Sequence, residues 1–349
     1  MAPSTLLRLS ALAALTSVAS AASGDVNTAV TADGERIIAG YVPSIALAVV
    51  GIVLYGASTL ALWVQWFRTG RKLYMLTLNI SMACFTLGLV LRIVYHDNLA
   101  SLGSYIAMYM FVLLSPCAFL AHNYLMLSRL SQAMGPDATS ALFLPARRVG
   151  TIFIWSDVVT FLLQAGGGGL TASGNASSAK TGKTIALAGL IIQLVSYCLF
   201  TSLLIVFNIN IRRRHPHLAR PAQPFKLGSY RFWAKSRVYD WRPLAWVVML
   251  SCVGVITRSV FRIVEYSEGY YGELATTEGY FYGLDALPLW LAMTLYVFFN
   301  PARFIEGARE QQQAANTQYA LEAGGATVDR YATGGSDKAW QQHGLKTQG

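Results

Sequence analysis

TIALAGLIIQLVSYCLFTSLLIVFNINI, residues Thr184–Ile211, is an apolar stretch without a single charged side chain. About 20 such residues are enough for a helix to cross the hydrocarbon core of a bilayer. Three consecutive arginines, Arg212–Arg214, begin the connection that follows. The stretch predicts a membrane-spanning helix, because an open strand would leave its backbone groups unpaired in lipid.

Six further runs are long and mostly apolar. They are Tyr41–Phe67, Leu73–Tyr95, Leu102–Leu127, Val149–Ala165, Leu244–Tyr266 and Gly279–Phe299. The chain of 349 residues is 54% hydrophobic and only 13% charged, whereas soluble domains carry about 25% charged residues. The sequence therefore predicts an all-α membrane protein built as a seven-transmembrane helix bundle.

Lysine and arginine are distributed unevenly among the connections between the predicted spans. The first, third and fifth connections hold three, three and nine of them, fifteen altogether, while the opposite side has only Lys180 and Lys183. Basic connections stay in the cytosol, so we expect the N-terminus outside and the C-terminus inside. This distribution also explains the net charge of +10 without a nucleic-acid partner.

The two ends of the chain differ from the membrane region. Residues 1–22 have the layout of a cleaved signal peptide, with an uncleaved extra helix as the alternative. Residues 23–40 would form an extracellular segment before a transmembrane domain of residues 41–304. The polar residues 305–349 are expected to form a disordered cytosolic tail. Asn175 begins an acceptor sequence for N-glycosylation in the fourth, outward-facing connection.

Polar and ionisable side chains recur inside the predicted spans, where each is energetically expensive and therefore a candidate for function. Several are spaced i, i+4 and i+7, which places them on one helix face. The candidates for substrate binding are Arg92 in the second span, Asp157 and Gln164 in the fourth, Gln193 in the fifth, Arg258, Arg262 and Glu265 in the sixth, and Glu278, Tyr282 and Asp285 in the seventh.

Two interpretations of this polar belt stay open. In one, carboxylates of the seventh span neutralise arginines of the sixth and fix how the two helices pack. In the other, the same groups line a hydrated pocket for a polar headgroup. Asp157 fits the first interpretation only if Gln193 or Arg92 is its partner. The glycine run Gly166–Gly169 is expected to end the fourth helix.

The chain resembles the fungal RTA-like family, also called the lipid-translocating exporter family, over residues 41–304. Its most specific parts are the run RSVFRIVE at Arg258–Glu265, then Gly269, Gly272, Glu278, Tyr282 and Asp285, and the run DVVTFLLQAGGG at Asp157–Gly168. The resemblance implies seven helices and a role in moving, or resisting, amphiphilic lipids.

One departure from the family pattern lies in the second span. Gly88 and Arg92 match, but Phe85 and Leu89 stand where the family carries a glutamate and a tyrosine. If the family glutamate pairs with the arginine, this chain needs another partner for it. An interaction between Arg92 and Asp157 is one substitute.

The resemblance and the polar belt together predict an ATP-independent translocator of sphingoid-base-like or sterol-like amines. A cationic amine would be held by Asp157, Asp285 or Glu278, and a phosphate by Arg258 or Arg262. The sequence contains no Walker-type nucleotide loop, and we expect no cofactor and no metal. The plasma membrane is the expected location, with the vacuole or endoplasmic reticulum as alternatives.

A lipid or stress receptor is the alternative function, with a cytosolic partner at residues 212–243. An enzyme is disfavoured. A retinal protein needs a lysine in the last span, which has none, and a membrane-embedded zinc hydrolase needs several buried histidines. Only His122 lies well inside a predicted span.

Overall fold

The computed structural model describes residues 41–172, 176–219, 224–234, 236–268, 272–319 and 321. This part of the chain is helical and contains no strand. Its long helices are α1 Ile45–Arg68, α2 Leu76–Asp97, α3 Leu102–Ala133, α4 Ala146–Ala172, α5 Ala176–Arg214, α6 Arg242–Glu268, α7 Glu278–Phe298 and α8, residues 301–319. Short helical turns cover Leu73–Met75, Pro136–Ser140, Pro216–Ala219, Leu227–Ser229 and Glu273–Thr276.

Seven of these helices, α1 to α7, are long and apolar enough to cross a membrane. This confirms the seven predicted spans and makes the chain a multi-pass membrane protein. The direction in which the helices cross stays a prediction, as do the signal peptide, the segment 23–40 and the glycosylation of Asn175. Residues 1–40 and Asn175 lie outside the described residues.

The seven spans form a closed ring. Each helix packs against the next in sequence, and α7 returns to α1. Helix α3 also contacts α5 and α6, so it runs through the interior of the ring. One end of the bundle holds the connections 69–72, 134–145 and 215–241, and we call it the basic end; the far end holds the other three connections.

The outer surface of the ring is apolar, and polar groups face inward. Leu60, Leu162 and Val253 are each more than 60% exposed on the outside, at 69%, 63% and 61%. In contrast, buried positions include Asn123, Asp157 and other polar side chains. This distribution suits a helix bundle surrounded by lipid, where the polar groups must find their partners inside the protein.

Helices α4 and α5 approach each other closely through glycine. A Cβ atom added at Gly167 would lie 2.6 Å from the backbone nitrogen of Ala186, and one at Gly182 would lie 2.5 Å from the carbonyl oxygen of Gly167. The expectation that Gly166–Gly169 ends the fourth helix is therefore wrong. Helix α4 continues to Ala172 because the missing side chains allow the backbone of α5 to pack there.

The helix α8 differs from the disordered tail that we expected from residue 305. Residues 305–319 are helical, and Phe304, Ile305 and Ala308 are buried against the basic end. The Arg303 side chain donates hydrogen bonds to the carbonyl oxygens of Ser236 at 2.7 Å and Arg231 at 2.9 Å. Strong helix formers and one apolar face give this segment a partner surface, so composition alone misjudged it.

Candidate substrate-binding site

The polar belt is organised around a π-helical turn, Phe281–Ala286, in the half of α7 nearer the far end. Such a turn carries one extra residue, and Pro288 follows it closely without a backbone N–H of its own. The Tyr55 hydroxyl of α1 donates a hydrogen bond of 2.6 Å to the carbonyl oxygen of Ala286. The turn directs the fully buried Asp285 toward α6.

Asp285 bridges two arginines of α6. One carboxylate oxygen contacts Nη1 of Arg258, and the other contacts Nη2 of Arg262. The arginines are one helical turn apart and therefore share a face. A second Arg262 nitrogen, Nη1, binds Oε2 of Glu265 at 3.0 Å. The two cations and two carboxylates form a charge-balanced cluster, which lowers the cost of burying them.

Glu278 is bound elsewhere. Its Oε1 accepts a hydrogen bond of 2.7 Å from Nη2 of Arg92, and its Oε2 accepts one of 2.8 Å from the backbone N–H of Ser44. The Tyr41 hydroxyl lies 2.5 Å from the same Arg92 nitrogen, and the Phe281 ring lies 4.6 Å from the guanidinium carbon. This pair ties the start of α1 to α2 and α7.

The suggested Arg92–Asp157 interaction is therefore wrong, because Glu278 of α7 already binds the arginine. The chain thus satisfies Arg92 without the glutamate that Phe85 replaces. The Phe85 ring stacks on Tyr55, with ring centroids 4.2 Å apart. Pairing between helices depends on the tertiary arrangement, which spacing within one helix does not reveal.

The two predicted glutamines contact each other. Nε2 of Gln164 on α4 donates to Oε1 of Gln193 on α5 at 2.9 Å. In turn, Nε2 of Gln193 points to the sulfur of Cys117 on α3 at 3.6 Å. These neutral groups connect three helices in the middle of the bundle.

Asp157 stands apart from the other acidic candidates. Its side chain is only 2% exposed, and neither carboxyl oxygen has a hydrogen-bond partner of good geometry. The Tyr124 hydroxyl of α3 faces it. The sequence analysis missed Tyr124, because a tyrosine in an apolar helix gives no signal that distinguishes it from a packed core residue.

A cavity of about 440 Å³ opens between the helices at the far end; we call it the far-end cavity. Its walls come from α2 to α7 and are mostly apolar or aromatic. Arg92, Lys180, Lys183, Arg262 and Glu265 supply its charged lining. Of the predicted site residues, three therefore line this cavity.

A chamber of about 30 Å³ lies deeper, between α3, α4, α5 and α6; we call it the inner chamber. It is lined by Gln164, Gln193 and Arg258 and shares Arg262 with the far-end cavity. Tyr109 and Tyr266 also line both spaces, and their hydroxyl groups contact each other at the partition. Neither tyrosine was predicted from sequence, although Tyr266 continues the four-residue spacing of Arg258 and Arg262 and could have been found by it.

The remaining predicted residues line neither space. They are Asp157, Glu278, Tyr282 and Asp285. Glu278 and Asp285 hold arginines in place, and the Tyr282 ring lies 5.6 Å from the guanidinium carbon of Arg92. The structure thus joins the two interpretations of the polar belt: some charges fix the packing, and others line a pocket.

Several known proteins are similar to this chain in amino-acid sequence. Protein RTM1 of Saccharomyces cerevisiae is 32% identical over 211 residues, 60% of this chain and 62% of the relative. Protoporphyrin uptake protein 1 of the same yeast is 28% identical over 60% of this chain and 62% of its own length. The matched parts are thus less than two thirds of both relatives. The sphingoid long-chain base transporter RSB1 of Saccharomyces cerevisiae is 26% identical over 295 residues, 79% of this chain and 76% of the relative.

No solved structure matches this chain. The family model for "RTA1 like protein" matches residues 78–308, which hold α2 to α7 almost completely and more than half of the chain. All the predicted residues of the polar belt, the inner chamber, and the lining of the far-end cavity except Tyr41 fall within these residues. The chain therefore belongs to the RTA1-like protein family.

Proposed function

We propose that this chain moves amphiphilic, lipid-like molecules across a membrane and receives their headgroups in the far-end cavity. The cavity itself is the observation that carries the proposal. Its volume of about 440 Å³ lies within the usual range of ligand pockets. Its apolar walls and charged lining suit a molecule with a long apolar chain and a polar head.

The named relatives support the class of substrate. One is called a sphingoid long-chain base transporter, and another a protoporphyrin uptake protein. Both names describe transport of molecules with large apolar parts and charged groups. Together with family membership, they favour a transporter over an enzyme for this chain.

A sphingoid-base-like amine is the substrate that we place in the site. Asp285 uses both carboxylate oxygens for arginines, and Glu278 uses both for Arg92 and Ser44. Glu265 lines the far-end cavity and is the carboxylate that a cationic amine would meet there. Arg262 beside it would donate hydrogen bonds to a hydroxyl or phosphate oxygen of the same headgroup.

Orientation, location and energy source complete the proposal. The basic end faces the cytosol, because it carries most of the lysine and arginine in the connections. The far-end cavity then opens to the outer leaflet of the plasma membrane. A reporter fused to the C-terminus that is protected from external protease in intact cells supports this orientation.

Transport does not use ATP within this chain, because its sequence lacks a Walker-type loop.

Transport of a fluorescent sphingoid base into vesicles containing the purified protein tests the function. We expect Glu265→Gln to slow transport about tenfold or more, since a hydrogen bond to a charged group contributes about 1.5–3 kcal/mol. Glu273→Gln is the matched control, because Glu273 is an exposed glutamate at the same end of the bundle. If the unaltered protein moves no labelled base, the proposed function is wrong. If it moves the base and both variants match it, the proposed site is wrong.

A further inference from the structure

One buried carboxyl group has no role in the arrangement described so far. Asp157 lies in the middle of α4, eleven residues from its start, or roughly 16 Å along the helix axis. It has neither an ion-pair partner nor a good hydrogen bond among the described residues. Glu265, Glu278 and Asp285 each bind an arginine, so Asp157 differs from every other carboxylate of the polar belt.

Among the described residues, no cation faces Asp157. On α3, the facing groups are the Tyr124 hydroxyl and the Cys117 thiol. Behind Tyr124 lie Tyr197 of α5 and Cys252 of α6. Burying an unpaired carboxylate costs several kcal/mol, and the protonated acid avoids most of that cost. These surroundings therefore favour the protonated form of Asp157.

Polar groups lead from Asp157 toward the far end. Cys117 interacts with Asp157 and accepts the hydrogen bond of Gln193, which lines the inner chamber. The chamber volume of about 30 Å³ has room for about two water molecules. The far-end cavity begins behind the partition formed by Tyr109 and Tyr266. A proton and a substrate headgroup thus approach the middle of the bundle through the same space.

A second series of polar groups leads toward the basic end. The Tyr197 hydroxyl accepts a hydrogen bond of 2.8 Å from Asn123, which accepts one of 2.7 Å from the Tyr296 hydroxyl. Ser251 lies 3.4 Å from the same Tyr296 hydroxyl. These side chains are buried between α3, α5, α6 and α7. This series contains no Asp, Glu or His, and its hydroxyl groups can both donate and accept a hydrogen bond.

Building on the transport function proposed above, we propose that Asp157 is a proton-binding site through which the chain exchanges protons for substrate. When a cationic amine reaches the inner chamber, the carboxyl group releases its proton through that chamber into the far-end cavity, because the amine then stabilises the carboxylate. After the amine has left, the carboxylate takes up a proton from the basic end through the polar groups around Tyr197 and Asn123. Only an O–H bond forms and breaks, and one cation replaces the other.

The test uses the full-length protein in lipid vesicles with an imposed pH difference. Uptake of a fluorescent sphingoid base and the internal pH, followed with a trapped pH dye, are measured in the same sample. Because protons leave the vesicle as the base enters, we expect a more acidic vesicle interior to raise uptake of the base about tenfold. This factor lies within the usual range of coupling free energies. Substrate added without a pH difference should itself move protons.

Asp157→Asn keeps the shape of the side chain and cannot take up a proton. We expect the Kd of this variant for the labelled base to be independent of pH, whereas the Kd of the unaltered protein should change with pH. The variant should also lose the response of substrate flux to pH and the substrate-driven proton flux. Asp97→Asn, at the exposed end of α2, is the matched control and should keep both.

The two proposals fail in distinguishable ways. If the unaltered protein moves no base under any condition, the transport function is wrong. If it moves the base equally with and without a pH difference and no protons follow, only the exchange is wrong. Proton-coupled flux that persists in Asp157→Asn would assign the proton to another group and overturn the role of Asp157.

Discussion

Replacing Asp285 by asparagine removes the carboxylate that two buried arginines of α6 share. Arg258 is 5% exposed and Arg262 12% exposed at the side chain, so the small amount of water that reaches them replaces the lost carboxylate only in part. Arg262 keeps Glu265 at 3.0 Å, whereas Arg258 keeps only a weak contact with the carbonyl oxygen of Val112 at 3.4 Å. The variant therefore leaves one largely uncompensated cation inside the bundle.

The expected loss of stability is about 3–5 kcal/mol, the usual cost of removing one partner from a buried ion pair. Reversible unfolding of the purified protein in mixed micelles by a denaturing detergent measures this loss directly. The double variant Arg258→Met with Asp285→Leu should recover most of it, because it removes the unpaired cation together with the carboxylate. A loss below about 1 kcal/mol for Asp285→Asn, comparable to an exposed pair, would refute the reasoning.

Three further predictions concern other parts of the molecule. Gly167→Ala should lower the free energy of unfolding by about 1–3 kcal/mol, the usual effect of overpacking, because its Cβ would lie 2.6 Å from the backbone nitrogen of Ala186. The same unfolding assay measures this change. Tyr266→Phe should speed the release of a bound fluorescent base in stopped-flow experiments, because it removes a hydroxyl contact at the partition between the two spaces. Burial raises the pKa of Asp240, but hydrogen bonds from the Arg242 side chain and from the backbone amides of Phe225 and Arg242 outweigh it and hold the pKa below its usual value. The resulting stabilisation is complete above the ordinary aspartate pKa of about 3.9 and is lost as the pH falls through the lowered pKa. The protection of residues 224–234 and 236–241 against hydrogen exchange, relative to the intrinsic rate at each pH, should therefore fall in acid.

Each of these predictions has a control. Gly166→Ala lies in the same helix where an added Cβ meets nothing within 4 Å, so it should leave stability equal or slightly higher. Tyr280→Phe changes an exposed tyrosine near the far end and should not alter release. Asp240→Asn should show fast hydrogen exchange already at neutral pH, and unchanged exchange would contradict the assigned role of the carboxylate.

The spans were predictable from sequence because their signal is local. An uninterrupted apolar run such as Thr184–Ile211 meets the length that a bilayer demands, whatever surrounds it. The face shared by Arg258 and Arg262 followed from helix geometry alone. Local rules mispredicted the end of α4, because its glycines allow close packing of the neighbouring helix α5. They also mispredicted α8, because this helix packs against a connection that is remote in sequence.

The candidate site was predictable only as a set of residues. Sequence placed Arg92, Glu278 and Asp285 at membrane depth, but it could not show which arginine each carboxylate binds. That choice depends on the order of helices around the ring and on the extra residue in α7. The tyrosines at the partition carry no charge, and their position between the two spaces marks them as part of the candidate site.

The π-helical turn of α7 gives that helix a mechanical freedom that a regular helix lacks. One surplus residue offsets the segments on either side by roughly 100° of rotation. When such a surplus travels along a helix, the segment it crosses turns while both flanking segments stay in place. Asp285 lies within the turn, while Glu278 holds α7 to α2 before it and Leu287–Phe298 continue as a regular helix after it. A shift of the extra residue along α7 would therefore turn Asp285 relative to α6 while both ends of the helix stay in place.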